Sequence, residues 1–350
     1  MTYEDNIRKV TPYTPGEQPK TKVIKLNTNE SPYPPSPRVV EAMEKLDWNK
    51  LRLYPDPAMS ELTSCIADHY GVKPSEVFAG VGSDDVLSMC FLTFFAGEKP
   101  VLFPDITYSF YDVWAEVYRI PYETKKLDGD FRIVPSDYYA PNGGIVIANP
   151  NAPTGIGENR AFIEDILEHN SESVVIIDEA YVDFGAESAL PLIEKYENLI
   201  VVRTMSKSRA MAGMRIGYCF GNEKLIKYLN DVKYSVNSYT LNIPSIAAGK
   251  AAIEDTEYFR EIVGRIKKTR ENTAEELKKL GFSYFPSNTN FIFAKPPAGY
   301  KAKDIFLKLK ESGIYVRHFD KERISDYLRI TIGTDDEMHM LIHTLKEILQ

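Results

Sequence analysis

Three short runs of aliphatic and β-branched residues constrain this chain most: IVIA (145–148), SVVIID (173–178) and LIVVRT (199–204). Each is too short for a helix, and stretches of helical pattern separate one from the next. A strand that is apolar on both faces needs cover on both faces, which is the condition of a parallel sheet wrapped by helices. Helix-like patterns at roughly 36–46, 58–70 and 84–95, the strand VLF (101–103) and the helical YSFYDVWAEVY (108–118) extend the alternation upstream. The expected class is α/β, with helices on both faces of a mostly parallel sheet. MRIGYCF (214–220) is the exception. Only about ten residues separate it from LIVVRT, and a parallel crossover needs a dozen or more. It is expected to run antiparallel beside or near its predecessor, so the sheet is mixed.

Beyond about residue 245 the pattern changes. Helices at 245–254, 258–280, 302–311 and 335–349 surround strands FIFA (291–294), IYVR (314–317) and YLRITI (327–332), which suggests a smaller α+β domain. The first 35 residues are rich in Pro, Thr and Asn and read as an extended arm. The expected division is an arm at 1–35, a large domain at 36–245 and a small domain at 246–350.

Composition narrows the function classes. The formal net charge is −8, which argues against nucleic acid as a partner, so an anionic ligand must be held by local cations and backbone N–H groups. The three cysteines, Cys65, Cys90 and Cys219, form no CxxC pair and fit a reducing cytoplasm. The N-terminus has no apolar leader pattern. The longest mostly apolar run, VLSMCFLTFFA (86–96), falls short of the ~20 residues that span a bilayer, so no membrane association is expected.

Candidate chemistry collects at strand ends. Ligands of open α/β sheets bind outside the carboxyl ends of the strands. Asp178 ends SVVIID, and a carboxylate fed by such an apolar run is either paired or functional. Lys207 follows LIVVRT in the Ser-rich segment TMSKSRAMAG; alone it could be a solvated surface charge. NPNAPTG (149–155) follows a third strand and Tyr108 a fourth, at the expected start of a helix. GVGSDD (80–85) leads into the helix at 84–95, where N–H groups suit a phosphate. It lacks the lysine of a Walker loop and the third glycine of a dinucleotide fingerprint, and Ser83 or Asp84 could simply cap the helix. No metal site is expected: His339 and His343 lack the HExxH pattern and fit a surface face.

Together, LNTNESP, RLYPDP, GVGSDD, NPNAPTG, IDEAYVDF, RTMSKSRAMAGMRIGY and LRITIGT stand in an order that resembles the pyridoxal-phosphate (PLP) aminotransferases of fold type I, most closely the histidinol-phosphate aminotransferase branch. The resemblance covers nearly the whole chain. It implies that Lys207 carries the cofactor, that Asp178 pairs with its pyridine nitrogen, and that Tyr181 bonds its phenolic oxygen. Arg215, Ser206, Thr204 and the backbone of Ser83 and Asp84 would hold the phosphate, and Tyr108 would stack on the ring. Tyr54 would reach the phosphate of the other subunit's cofactor, which makes a homodimer functional. Many relatives carry Asn where this chain has Ala152; Asn151 is the nearest substitute, with Asn149 as the alternative. Arg329 and Arg317 match the family's substrate arginines, and Tyr13 and Asn29 in the arm would close over the substrate. The implied reaction is transamination between histidinol phosphate and 2-oxoglutarate, in histidine biosynthesis. An aromatic-amino-acid aminotransferase or a phosphothreonine decarboxylase on the same fold shares most of these motifs. A nucleotide hydrolase using GVGSDD and a non-catalytic PLP-binding relative are further readings.

Overall fold

The computed structural model describes residues 2–350. A seven-stranded sheet forms its centre, in the order Val77–Gly80, Gly217–Gly221, Leu199–Thr204, Val175–Asp178, Gly144–Ala148, Val101–Pro104, Tyr122–Lys125. Every neighbouring pair is parallel except those made by Gly217–Gly221, which runs antiparallel to both of its neighbours. The β-branched runs occupy the middle positions and are buried along their whole length, as two-sided cover requires. Their side chains divide between two apolar cores: Ile145, Ile147, Val175 and Ile177 face one layer, Val146, Ile176 and Val202 the other.

The second sheet has four antiparallel strands, ordered Arg317–His318, Leu328–Thr331, Phe291–Lys295, Ser283–Tyr284. Leu328 and Ile330 enter a third core with residues of Thr256–Lys279, Ala302–Glu311 and Asp335–Ile348. The period of two then sends Arg329 to the opposite face. Arg317 is its direct cross-strand partner, so both guanidinium groups emerge on one side. The arm ties into this unit: Ile24–Lys25 pairs in parallel with Ile314–Tyr315, and Leu26 is buried in the third core. Among the described residues, no helix is long and apolar enough to cross a membrane.

Several sequence-based expectations need correction. The helix expected from 108 begins at Tyr111, which leaves Tyr108 in the preceding turn. IYVR is two pieces, because Ile314–Tyr315 serves the arm and Arg317–His318 serves the second sheet. The strand expected from 214 starts only at Gly217, since Arg215 sits at φ +53°, where no strand continues. Strands Val77–Gly80 and Tyr122–Lys125 were not foreseen. The expected boundary at 245/246 cuts through the helix Ile243–Glu254. Ala248, Ala251, Ala252 and Ile253 of that helix lie in the first core with the large sheet. We propose that the divide falls at Asp255, which caps the next helix by accepting from the Tyr258 N–H and also accepts from the Ser36 hydroxyl.

Candidate active site

Four chain segments meet at the carboxyl edge of the large sheet. Asp178 ends its strand level with Ala148 on one side and Val202 on the other, and is buried. The Tyr111 hydroxyl donates to Oδ2 (2.9 Å) and the Ala180 N–H to Oδ1 (3.1 Å). Burial nevertheless pushes its carboxyl up to about 6, against the pull of those two donors. Among the described residues, no cation lies within ion-pair distance of Asp178. A buried carboxylate without a cation is suited to a ligand that brings a positively charged N–H.

Lys207 lies in the turn after Leu199–Thr204. Its Nζ is 3.4 Å from the Thr28 carbonyl and 5.8 Å from the centre of the Tyr181 ring. Tyr181 accepts a hydrogen bond from Asn29 Nδ2 at 2.8 Å. Asn29 itself sits at φ +56° and is locked to the second sheet through Thr331. Asp178, Tyr181, Lys207 and Tyr108 line one cavity of about 180 Å³.

The far corner of that cavity is built for an anion. Ser83 and Asp84 stand in the first turn of the helix Gly82–Phe94 and line the cavity; neither caps the helix, whose N-terminal end favours an anion. The Thr204 and Ser206 hydroxyls, 3.0 Å apart, face the same corner. Arg215 reaches it from a left-handed backbone conformation and pairs with Asp84 at 3.0 Å. Tyr108 donates to the other Asp84 oxygen at 2.7 Å, and burial and the Asp84 charge hold its phenol far above the usual range.

A second cavity, of about 160 Å³, shares Thr28, Tyr108, Ala152, Tyr181 and Lys207 with the first and opens toward the small sheet. Arg317 and Arg329 line it, with Tyr13 stacked on Phe110 (4.2 Å) at its edge. Arg329 Nη2 donates to the Asn27 carbonyl at 3.1 Å, but its Nε is buried without a partner. Burial, and then the Arg317 charge, lower the hold of Arg329 on its proton. Among the described residues, no carboxylate lies within ion-pair distance of Lys207, Arg317 or Arg329.

Two expected residues lie elsewhere. Asn151 does not face the cavity: its amide donates to the Ile106 carbonyl (2.9 Å) and Thr154 Oγ1 (3.2 Å) and accepts from Thr107 Oγ1 (2.8 Å). Asn149 is likewise spent, bonded to the backbone N–H and C=O of Glu158. Both amides hold the NPNAPTG turn, and the cavity wall at this point is Ala152. Tyr54 is 80% exposed and stacks on Tyr239 at 4.6 Å, outside both cavities. His339 and His343 are exposed on the last helix. Residues not singled out from sequence include Tyr111, Thr28, Glu30 and Phe319. Tyr111 stands three residues after Tyr108 at a helix start, a spacing that could have drawn notice.

An amine, a buried carboxylate and an anion corner in one cleft of a mixed α/β sheet define a group-transfer enzyme that works on amines. The sequence model of the aminotransferase class I and II family matches residues 21–345, and the chain belongs to that family. A histidinol-phosphate aminotransferase of Clostridium beijerinckii is 50% identical over 348 residues, covering 99% of this chain and 97% of that protein. One of Chromohalobacter salexigens is 49% identical over 342 residues, covering 98% and 97%. The crystal structure of histidinol-phosphate aminotransferase from Sinorhizobium meliloti in complex with pyridoxal-5'-phosphate superposes with a TM-score of 0.84 at 25% identity, covering 93% of this chain and 90% of that one.

Proposed function

We propose that this enzyme is a PLP-dependent transaminase that moves the amino group of histidinol phosphate to 2-oxoglutarate, in the cytoplasm, as a step of histidine biosynthesis. The observation that carries the reading is the pair Arg317 and Arg329, two unpaired guanidinium groups side by side above Lys207. Unpaired cations in a closed site are unfavourable unless an anion completes them. Forked guanidinium donors suit the phosphate of one substrate and a carboxylate of the other.

The residues fit the cofactor. Ser83, Thr204, Ser206 and Arg215 would hold its phosphate, Asp178 its ring N–H, and Tyr181 its phenolic oxygen, with Ala152 offering no amide there. Pyridoxal phosphate, when bound, supplies an aldehyde that accepts the amino group and a ring that delocalises an electron pair. Lys207 would hold the cofactor at rest, and its amine is the group that would move the proton at the substrate Cα. Asp178 would keep the ring nitrogen protonated. Asn29 fixes the Tyr181 hydroxyl, and Tyr108 would cover the ring. Tyr13 borders the entrance and closes over the substrate. Tyr54 would serve the cofactor phosphate of a second subunit.

The test is a donor screen with 2-oxoglutarate as acceptor, joined to borohydride trapping and peptide mapping. Histidinol phosphate should exceed phenylalanine, tyrosine and phosphothreonine in kcat/KM by at least about tenfold, the worth of one well-made charged hydrogen bond. The pyridoxyl label should map to Lys207. A preference for phenylalanine moves the assignment to an aromatic aminotransferase, and a label elsewhere removes Lys207 from its role.

A further inference from the structure

The two substrate-facing arginines stand at the ends of one loop. Arg317 precedes it, Arg329 follows it, and Phe319 inside it lies 5.5 Å and 5.4 Å from the two guanidinium groups. The tip of this loop docks on the large domain, at the turn that carries Tyr108. Arg323 Nη1 donates to Asp105 Oδ2 at 3.1 Å. Its Nη2 donates to the carbonyls of Leu127 (2.8 Å) and Asp128 (2.6 Å), and the guanidinium lies 5.4 Å from the Phe131 ring. Lys321 Nζ donates to the Asp105 carbonyl at 2.9 Å. Asp105 is tied from its other side, since Oδ1 accepts from the Leu127 N–H at 3.0 Å and its own N–H donates to the Lys125 carbonyl at 2.9 Å.

Arg323 holds this position at φ +69°, a conformation that favours glycine. A long side chain kept there is held by what its far end bonds. The pair is also sheltered, with side chains 23% and 28% exposed, and Ile324 beside it is buried in the large domain's core. The contact thus fixes two things at once: where the small domain carries Arg317 and Arg329, and where the Asp105–Phe110 turn carries Tyr108.

We propose that Arg323 and Asp105 are positioning residues, a latch that sets the distance between the substrate arginines and the cofactor-covering Tyr108. Neither lines the Lys207 cavity, so they act only through the loops they join. The effect falls on substrate capture. Cofactor retention depends on Asp178, Lys207 and the anion corner, which lie within the large domain. The inference rests on the transaminase reading only for the choice of substrates.

The experiment compares Arg323→Met, Arg323→Lys and Asp105→Asn with the parent protein. In steady-state assays KM for both the amino donor and 2-oxoglutarate should rise about tenfold in Arg323→Met, the scale of one lost charged hydrogen bond, while kcat falls less than about threefold. Arg323→Lys should recover part of the loss through the Asp105 contact. Hydrogen exchange on the cofactor-free protein gives a readout independent of activity. In Arg323→Met the segments 105–110 and 319–327 should lose protection together, while 199–207 stays as protected as before. Equal losses across all segments, or an unchanged KM with unchanged exchange, would overturn the latch. Should Arg323→Met fail to fold, Asp105→Asn tests the same coupling, because its amide oxygen keeps the Leu127 contact while its NH2 replaces the charged acceptor of Arg323. A chain inactive on every donor but showing paired deprotection would retire the transaminase reading and leave the latch standing.

Discussion

A single carboxylate shows how much the site depends on its ligand. Asp178 has two neutral donors and no cation, so burial raises its carboxyl from 3.8 to about 6. A carboxyl raised in the folded state stabilises the fold fully only below its unfolded value, and that contribution is lost as the pH climbs through 6. At neutral pH the ionised form then costs about 3 kcal/mol in the cofactor-free protein, since each tenfold change in proton affinity is worth about 1.36 kcal/mol. Asp178→Asn should therefore stabilise the cofactor-free protein, and its advantage should grow by about 1–1.5 kcal/mol between roughly pH 5 and 7.5. Urea unfolding at several pH values measures this. With PLP present the order should reverse, because the asparagine offers the ring N–H no charge. A pH-independent difference would mean that the Asp178 carboxyl is already ionised throughout this range and is not raised by burial.

At the scale of elements, two glycines set the anion corner. A Cβ on Gly217 would lie 2.2 Å from the backbone of Gly82 and Ser83, and one on Gly82 would meet the Arg215 guanidinium at 2.5 Å. The strand Gly217–Gly221 therefore packs directly on the start of the helix Gly82–Phe94, and that approach gathers Ser83 and Arg215. Gly217→Ala forces backbone apart and should destabilise by about 1–3 kcal/mol, as overpacking does. It should weaken PLP binding at least about tenfold, the equivalent of 1.4 kcal/mol, read by absorbance titration. Gly213→Ala, which meets open space, is the control and should bind normally. The sequence made this region partly legible. GVGSDD announced a helix start, and the ten-residue gap before MRIGYCF required an antiparallel strand. Close packing of one glycine on another leaves no periodic trace, so the partnership of Gly217 with Gly82 was invisible. The β-branched middle strands were legible because they are buried on both faces. VFAG and YETK were not: the first ends in glycine, and the second is an exposed polar edge. Asp178 and Lys207 could be picked out as candidates because one ends a recognisable strand and the other closely follows one, whereas Arg215 precedes its strand and entered only through the family resemblance. Asn151 was misplaced because an amide in a turn can serve its own backbone as readily as a ligand, and only the tertiary contacts with Ile106 and Thr107 decide between them.

At the scale of the whole molecule, one chain leaves several large apolar side chains exposed. Trp48, Leu51, Leu53 and Tyr54 are exposed in one stretch, Tyr239 stacks on Tyr54, and Tyr234 and Val236 of the helix Glu223–Val236 are exposed nearby in sequence. We propose that these side chains belong to a subunit interface. In a twofold dimer the same patch serves both partners, so a side chain projecting from it reaches the other protomer's cleft. Tyr54 is 80% exposed and stacks on Tyr239 within its own chain. If it completes the second protomer's anion corner, mixed dimers should show complementation. Lys207→Ala lacks the amine but supplies an intact Tyr54; Tyr54→Ala lacks the tyrosine but keeps the amine. In a hybrid of the two, one site carries both defects and the other carries none. After random exchange half of the dimers are hybrids with one sound site, so activity should return to about a quarter of the parent value. Each variant alone should stay far below that level. Mixing the two after partial denaturation and refolding, with dimer formation followed by sedimentation, measures the recovery. Activity equal to the mean of the separate variants, in a preparation that sediments as dimer, would place Tyr54 outside the shared site.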